Sequence, residues 1–372
     1  MNERLETIWA VVLKLFAGSA FAILRRMILK TCSAPSYDNE EGDKSLSKYC
    51  DPGETVFAKG IFLMTVGWLA MAAALIYFCL CRRQKADPSS FGRRAMVRAI
   101  IPSGLDMVAT VLSVFGIQWI ALSLAFVFKG ASVVFSAVLT VFCLKRRLYL
   151  HHWISVVICV AGLAIAASSQ LLKEPSSFKG VVMVLGSELF KSLRVVYEEK
   201  LMKNHNFDPT FLVGLEGLYC SVVCAVVLFL AWLAIPGNDD GSLESLPDTL
   251  YRISHSSTLI GLLCVFPIIT CVISITGAIV TKNLSAVHNG FISVTRVGLI
   301  WAIELALFYS FQSSFGKQVG EPWTDFSFLK MGGFIVVVFS TLLFDEDIKI
   351  RCLFNYDHLL AVEDPQSKAA DI

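Results

Sequence analysis

Residues 122–147 read LSLAFVFKGASVVFSAVLTVFCLKRR. From Leu122 to Leu144 the stretch is apolar apart from small hydroxyl residues and one cation, Lys129, and it closes on Lys145, Arg146 and Arg147. A bilayer core about 30 Å thick takes roughly 20 apolar residues as a helix. Polar and apolar residues do not alternate with period two, so a barrel strand is excluded. Backbone polar groups in lipid must pair within a helix or inside protein-enclosed backbone. The stretch therefore reads as a transmembrane helix with a charge inside it and cations at one end.

Runs of the same kind recur at 7–27, 56–81, 97–118, 151–172, 179–201, 210–235, 258–282, 286–310 and 327–344. The expectation is an all-α integral membrane protein with ten transmembrane helices and no soluble domain left over. Composition agrees. Of 372 residues 55% are hydrophobic and only 17% charged, against about 25% charged in soluble domains. The N-terminal run carries Glu3, Glu6 and Lys14 and no small-residue cleavage site, so it reads as the first helix and not as a signal peptide. A net charge of +2 without a basic, aromatic-interleaved patch gives no support to nucleic-acid binding.

Loop cations set the orientation. Arg82, Arg83, Lys85, Arg93 and Arg94 follow the second run, Lys145 to Arg147 the fourth, and Lys200 and Lys203 the sixth. Acids gather on the other side: Asp38, Glu40, Glu41, Asp43, Asp51 and Glu54 after the first run, and Asp239, Asp240, Glu244 and Asp248 after the seventh. Both termini are expected in the cytoplasm and the acidic loops on the luminal or extracellular side. Arg25 and Arg26 oppose the rule unless they snorkel. Most of the eleven cysteines lie in apolar runs, where a thiol acts as a small hydrophobe. Cys32 and Cys50 share one polar loop and would pair only if that loop is luminal. No CxxC pair or Cys/His cluster calls for a metal, no cofactor motif occurs, and HExxH, GxSxG and Walker patterns are missing; enzyme chemistry has little support.

A weak internal echo is visible. The third run holds Pro102 and Asp106, and the fourth Lys129; the eighth holds Pro267 and Cys271, and the ninth Arg296. Elements five helices apart thus correspond, and an odd repeat unit inverts the second half. The expected division is 1–172 and 173–344 as five-helix repeats, with 345–372 as a cytoplasmic tail.

A charge at the bilayer centre costs about 2.5–3.5 kcal/mol on insertion scales, so each one asks for a reason. Lys129, Ser132, Ser136 and Thr140 share a helical face. Asn289, Ser293 and Arg296 form another stripe, with Glu304 beyond it. Asp106, Glu216 and Lys14 lie inside their own runs. Either they pair across helices, as Lys129 with Asp106 or Arg296 with Glu216 would, or they face a cavity that holds a solute or a proton. The sixth run carries Glu188 with Lys191 and Arg194 with Glu198, spaced for pairing along one helix, and reads as an interfacial network or a gate. Trp301 and Tyr219 read as packing aromatics. His151, His152, His205 and His255 read as solvated, and His288 as a weak titrating candidate. Asn283-Leu284-Ser285 fits a glycosylation pattern at a cytoplasmic edge. Tyr356 and Leu359 fit a tyrosine-based sorting signal.

Three stretches carry a family resemblance: PSGLDMVATVLSVFGIQWIALSLAFVFKGASVVFSAVLTVFCLKRRLYLHHWISVVICVAGL from Pro102 to Leu163, VVYEEKLMKNHNFDPTFLVGLEGLYCSVV from Val195 to Val223, and TGAIVTKNLSAVHNGFISVTRVGLIWAIELAL from Thr276 to Leu307. They resemble the drug/metabolite transporter superfamily, in particular the orphan F subfamily of nucleotide-sugar-transporter-like solute carriers and their chloroquine-resistance-transporter relatives. The resemblance implies a five-plus-five inverted repeat, alternating access and a central cavity. It directs attention to Asp106, Lys129, Glu198, Glu199, Lys200, Glu216, Thr281, Lys282, Ser285, Arg296 and Trp301. Two departures stand out. Lys129 replaces the subfamily's usual arginine, losing a bidentate fork. Thr295 precedes Arg296 where phosphate translocators carry a Lys-Arg pair, which counts against triose-phosphate or nucleotide-sugar cargo.

The function expected is secondary-active transport of a small polar or charged metabolite across an endomembrane, lysosome or vacuole or Golgi, with protons as a coupling candidate. The alternatives are a Golgi nucleotide-sugar/nucleotide antiporter and a non-transporting membrane interaction protein. The partners expected are the solute and the bilayer, and the oligomeric state is open between monomer and homodimer.

Overall fold

The computed structural model describes residues 2–36, 50, 54–82, 93–117, 119, 122–146, 148–171, 177–310, 322–324 and 326–345. They form helices α1 (Asn2–Lys30), α2 (Gly60–Ala72), α3 (Ala74–Tyr77), α4 (Arg93–Ile117), α5 (Leu122–Leu144), α6 (Leu150–Leu171), α7 (Phe178–Asn204), α8 (Pro209–Leu233), α9 (Leu246–His255), α10 (Ser257–Asn283), α11 (Ala286–Ser310) and α12 (Ser327–Phe344). Among the described residues seven helices are long and apolar enough to cross a membrane, ending with Ser327–Phe344. Phe128–Leu144 and Leu150–Ala166 are shorter apolar helices. The long α7 carries Glu188, Lys191, Arg194, Glu198, Glu199, Lys200 and Lys203. Large apolar side chains stand exposed around the bundle, among them Phe16, Leu80, Phe142, Phe178, Ile268 and Ile335. Water would penalise such a surface and lipid does not.

Local chemistry sets the helix ends. Asp208 caps α8 by accepting from the backbone N–H of Thr210 and Phe211, with Pro209 opening the helix, the arrangement that spares an unpaired N–H. Asn206 takes φ +51° in the α7–α8 turn, a conformation asparagine tolerates. Ser256 caps α10 through the N–H of Leu259. The second helix is broken: α2 stops at Ala73, α3 follows, and a π-turn runs over Phe78–Arg82. A Cβ on Gly217 of α8 would collide with the backbone of Met71 and Ala72, so glycine there lets α8 lie directly on the broken helix.

The packing follows a pattern. α1 lies on α10 and α11, while α4 lies on α7 and α8; α2 pairs with α8, α6 with α12, and α5 with α7 and α11. One apolar cluster, with Trp68, Phe78, Phe207 and Phe211, joins α2, α7 and α8. Another, with Val133, Cys159, Phe291 and Phe344, joins α5, α6, α11 and α12.

At one end a polar cap covers the bundle. The segment after the seventh run, expected to be loop, contains α9. Ser245 caps it by accepting from the N–H of Asp248, and Pro247 sits in its first turn. Asp248 is fully buried. It accepts from Lys59 Nζ at 2.7 Å, Arg252 Nε at 2.6 Å, and Ser36 N and Oγ at 2.8 and 3.0 Å. Lys59 also pairs with Asp239, and Arg252 reaches Thr55 Oγ1 at 2.7 Å. Burial pushes the Asp248 carboxyl up, but Lys59, Ser36 and Arg252 overcompensate and hold it below the usual aspartate range. Glu244 accepts from the N–H of Ile61 and Phe62 at the start of α2, and burial keeps its carboxyl above the usual range against those two donors. Cys32 and Cys50 form a disulfide beside the two-residue strands β1 (Cys32–Ser33) and β2 (Thr55–Val56), which pair antiparallel with Cys32 opposite Val56.

The histidine reading needs one correction. His151 is buried, with 1% exposed, because its ring packs 4.0 Å from His152, between centroids. The Tyr356–Leu359 motif and the tail after Asp345 lie outside the described residues.

Candidate functional site

A cavity of about 470 Å³ opens between α1, α2, α4, α5, α7, α8, α10 and α11. Asp106 and Glu216 line it, as do Lys129, Ser132 and Ser136 of α5, Asn289, Ser293 and Arg296 of α11, and Lys14 of α1. The stripes read from the sequence thus converge on one space.

Its charges are sorted to two walls. On one wall Arg194 of α7 stands among three carboxylates. Its Nη1 lies 3.1 Å from Asp106 and 4.0 Å from Glu216, and its Nε lies 3.0 Å from Glu198. Asp106 also accepts from Trp68 Nε1 at 3.2 Å. Glu198 and Glu216 are 5% and 3% exposed. Oε1 of each accepts no aligned hydrogen bond among the described residues. The two carboxyls lie within hydrogen-bonding reach of each other, a contact that is favourable only with a proton between them.

The other wall is cationic. Lys14 is 4% exposed, and its Nζ donates to the Asn289 carbonyl at 3.2 Å. Arg296 lies against Gly18, one helical turn beyond Lys14, where any Cβ would collide with the guanidinium. Among the described residues neither Lys14 nor Arg296 makes an ion pair, and Arg296 Nε donates to nothing. Burying cations without carboxylates is costly, so this wall is built for something else. Between the walls Lys191 pairs with Glu188 at 2.8 Å, and both line the cavity.

Two pairings read from the sequence are corrected here. Asp106 pairs with Arg194, not Lys129, and the carboxylate nearest an arginine on α8, Glu216, faces Arg194, not Arg296. The α4–α7 contact brings Arg194 to α4, while Arg296 turns toward α1. The charges of α7 are not confined to an interface. Glu188, Lys191, Arg194 and Glu198 line the cavity. The signal was present as polar residues at 188, 191, 192 and 198, but i,i+3 and i,i+4 spacing concealed what that face packs against.

The helix end nearest Glu199 is tied shut. Fully buried Glu199 accepts from Arg146 at 3.0 Å, Lys203 at 2.8 Å and the Ala286 N–H at 2.7 Å. Lys203 also donates to the Leu284 carbonyl at 2.5 Å. Next to this knot Asn289 Nδ2 donates to Thr281 Oγ1 at 2.8 Å, and Ser285 Oγ meets His288 Nδ1 at 2.6 Å. Lys200 is exposed and Lys282 half-buried; neither joins the knot. Trp301 packs near Trp323 and Phe334, at centroid distances of 6.2 and 5.9 Å, away from the cavity.

Residues 55–263, more than half of the chain, match the triose-phosphate transporter family. The chain belongs to that family. This places it in the drug/metabolite transporter superfamily, whose members move solutes across membranes. It is 26% identical to rat (Rattus norvegicus) solute carrier family 35 member F6 over 334 residues, covering 85% of each chain. The human (Homo sapiens) counterpart is 24% identical over 339 residues, covering 87% of this chain and 88% of the relative. A fission-yeast (Schizosaccharomyces pombe) uncharacterized protein is 22% identical over 289 residues, covering 74% of this chain and 84% of that one. A solved structure at 12% identity aligns with a TM-score of 0.58 over 94% of this chain and 99% of its own, a likeness of fold. This family member is a multi-pass membrane protein and a solute transporter.

Proposed function

We propose that this transporter is secondary-active, that it moves a small charged metabolite by alternating access, and that a proton on the Glu198–Glu216 pair couples the cycle. The observation that carries the reading is the sorting of charge in one cavity. Among the described residues Lys14 and Arg296 have no carboxylate within ion-pair distance, while three carboxylates share Arg194. The cationic wall, with Lys129 and the hydroxyls of Ser132 and Ser293 nearby, suits an anionic group of the solute. Buried carboxyls in contact suit a proton.

Ten spans in a five-plus-five inverted repeat fit the packing. Counting α2 and α3 as one span and leaving out α9, the α1–α10 contact corresponds to α4–α7, and α2–α8 and α6–α12 each correspond to themselves. A disulfide forms in an oxidising compartment. The Cys32–Cys50 bond therefore favours a luminal or extracellular first loop, cytoplasmic termini and an endomembrane home. In that orientation the Glu199 knot is a closed cytoplasmic gate.

Uptake into proteoliposomes with and without a pH gradient tests the proposal, using a solute panel. Uptake that follows the gradient and falls in Arg296→Ala/Lys129→Ala is expected. Full activity of the double variant overturns the cavity assignment, and indifference to the gradient overturns the proton.

A further inference from the structure

We infer that the transported molecule carries a positive group as well as a negative one, and that its positive group takes the place of the proton between Glu198 and Glu216. This deepens the proposed function and rests on it. The argument starts from the two walls. An anion on Lys14 and Arg296 satisfies one wall and leaves the other as it was. The second wall has its own unpartnered acceptor: Glu216 is buried and lines the cavity, and its Oε1 accepts no hydrogen bond among the described residues.

The charge balance narrows what can fill it. Asp106 of α4, Glu198 of α7 and Glu216 of α8 sum to three negative charges, and Arg194 returns one. Lys14 of α1 is a further charged group near Glu198. A proton between Glu198 and Glu216 lowers the remaining excess by one. An ammonium or guanidinium group does the same and in addition donates to both carboxylates. A second anionic group would add to the excess and be repelled. A solute with its carboxylate at Lys14 and Arg296 and its ammonium at Glu216 therefore satisfies both walls at once. A cavity of about 470 Å³ falls within the range of small-molecule sites, about 300–1,000 Å³.

The exchange is balanced. The ammonium arrives with its charge, the shared proton leaves to water, and the net charge of the acidic wall is the same before and after. Proton and solute then occupy one site in turn, which makes them exchange partners on opposite strokes of the cycle.

The test is calorimetry on the purified full chain in two buffers of different ionisation enthalpy. Three probe series are titrated at matched chain lengths: ω-amino acids, monocarboxylates and α,ω-dicarboxylates. One charge-assisted contact more should make an amino acid of the right length bind about tenfold tighter than its monocarboxylate. The buffer dependence should show about one proton released per molecule bound. Glu216→Gln, and separately Glu198→Gln, should cancel that advantage and the proton release. A dicarboxylate or monocarboxylate that binds as tightly as the amino acid, or binding without proton release, overturns the inference and leaves an anion transporter standing. No binding by any series overturns this inference, and uptake insensitive to Arg296→Ala overturns the reading beneath it.

Discussion

Two buried charge clusters sit in the same bundle and differ in their bookkeeping. In the cap, Lys59 and Arg252 pair with Asp239 and Asp248, Asp248 accepts four hydrogen bonds, and the third acid, Glu244, is answered by the N–H of Ile61 and Phe62. In the cavity, Arg194 faces three carboxylates, and among the described residues Lys14 and Arg296 form no ion pair. Both clusters are buried, so burial does not explain the difference. A balanced, saturated cluster holds elements together. An unbalanced one with unanswered donors and acceptors is completed from outside. In this transporter the first kind joins the first loop, α2 and α9, and the second kind lines the central cavity.

The largest break in that comparison should come from the cap. Asp248→Asn leaves Lys59 and Arg252 buried against a neutral amide and should cost about 3–5 kcal/mol of stability, read as a lower thermal midpoint with the substrate KM unchanged. Arg296→Ala should do the reverse. Among the described residues it orphans no carboxylate, so the fold should hold, while loss of about 3 kcal/mol of solute binding lowers uptake at low substrate about a hundredfold. Replacing Cys32 and Cys50 by serine should cost about 3 kcal/mol on a chain-entropy estimate, again in stability and not in selectivity. Glu199→Gln loosens the knot that the proposed function reads as a gate. Weakening its charge-assisted bonds by about 1–2 kcal/mol should raise labelling of a cysteine placed at Ala286 from the membrane side on which the knot lies. The smallest effect is in pH. Asp248 has a depressed carboxyl, so its contribution is complete above the unfolded value of about 3.9 and fades only as pH falls through the lower folded value. The difference in midpoint between wild type and Asp248→Asn should stay constant from pH 7 to 5 and shrink only below about pH 4.

The apolar runs were legible because lipid leaves the backbone few choices, and 122–144 and 286–310 fall where α5 and α11 lie. The cavity stripes were legible because helical periodicity places Lys129 with Ser132 and Ser136, and Asn289 with Arg296. Partners were not. Asp106 and Arg194 are brought together by the α4–α7 contact, which leaves no trace in local spacing. Helix α9 is hidden in the sequence because it is short and inverted in polarity: Asp248, Thr249 and Arg252 fold inward to the cap while Leu250 and Tyr251 stand exposed. Its Ser245 cap and Pro247 were the signals available. The role of Gly18 was equally hidden, since a missing side chain says nothing until the arginine lying across it is seen.

The Cys32–Cys50 bond has one more consequence. It closes the chain from 32 to 50 into a covalent ring. A protease that cuts once inside that ring opens it without parting the chain, and α1 stays attached to α2. On a membrane face exposed to hydrolases, the first loop can be nicked and the carrier still remains one molecule.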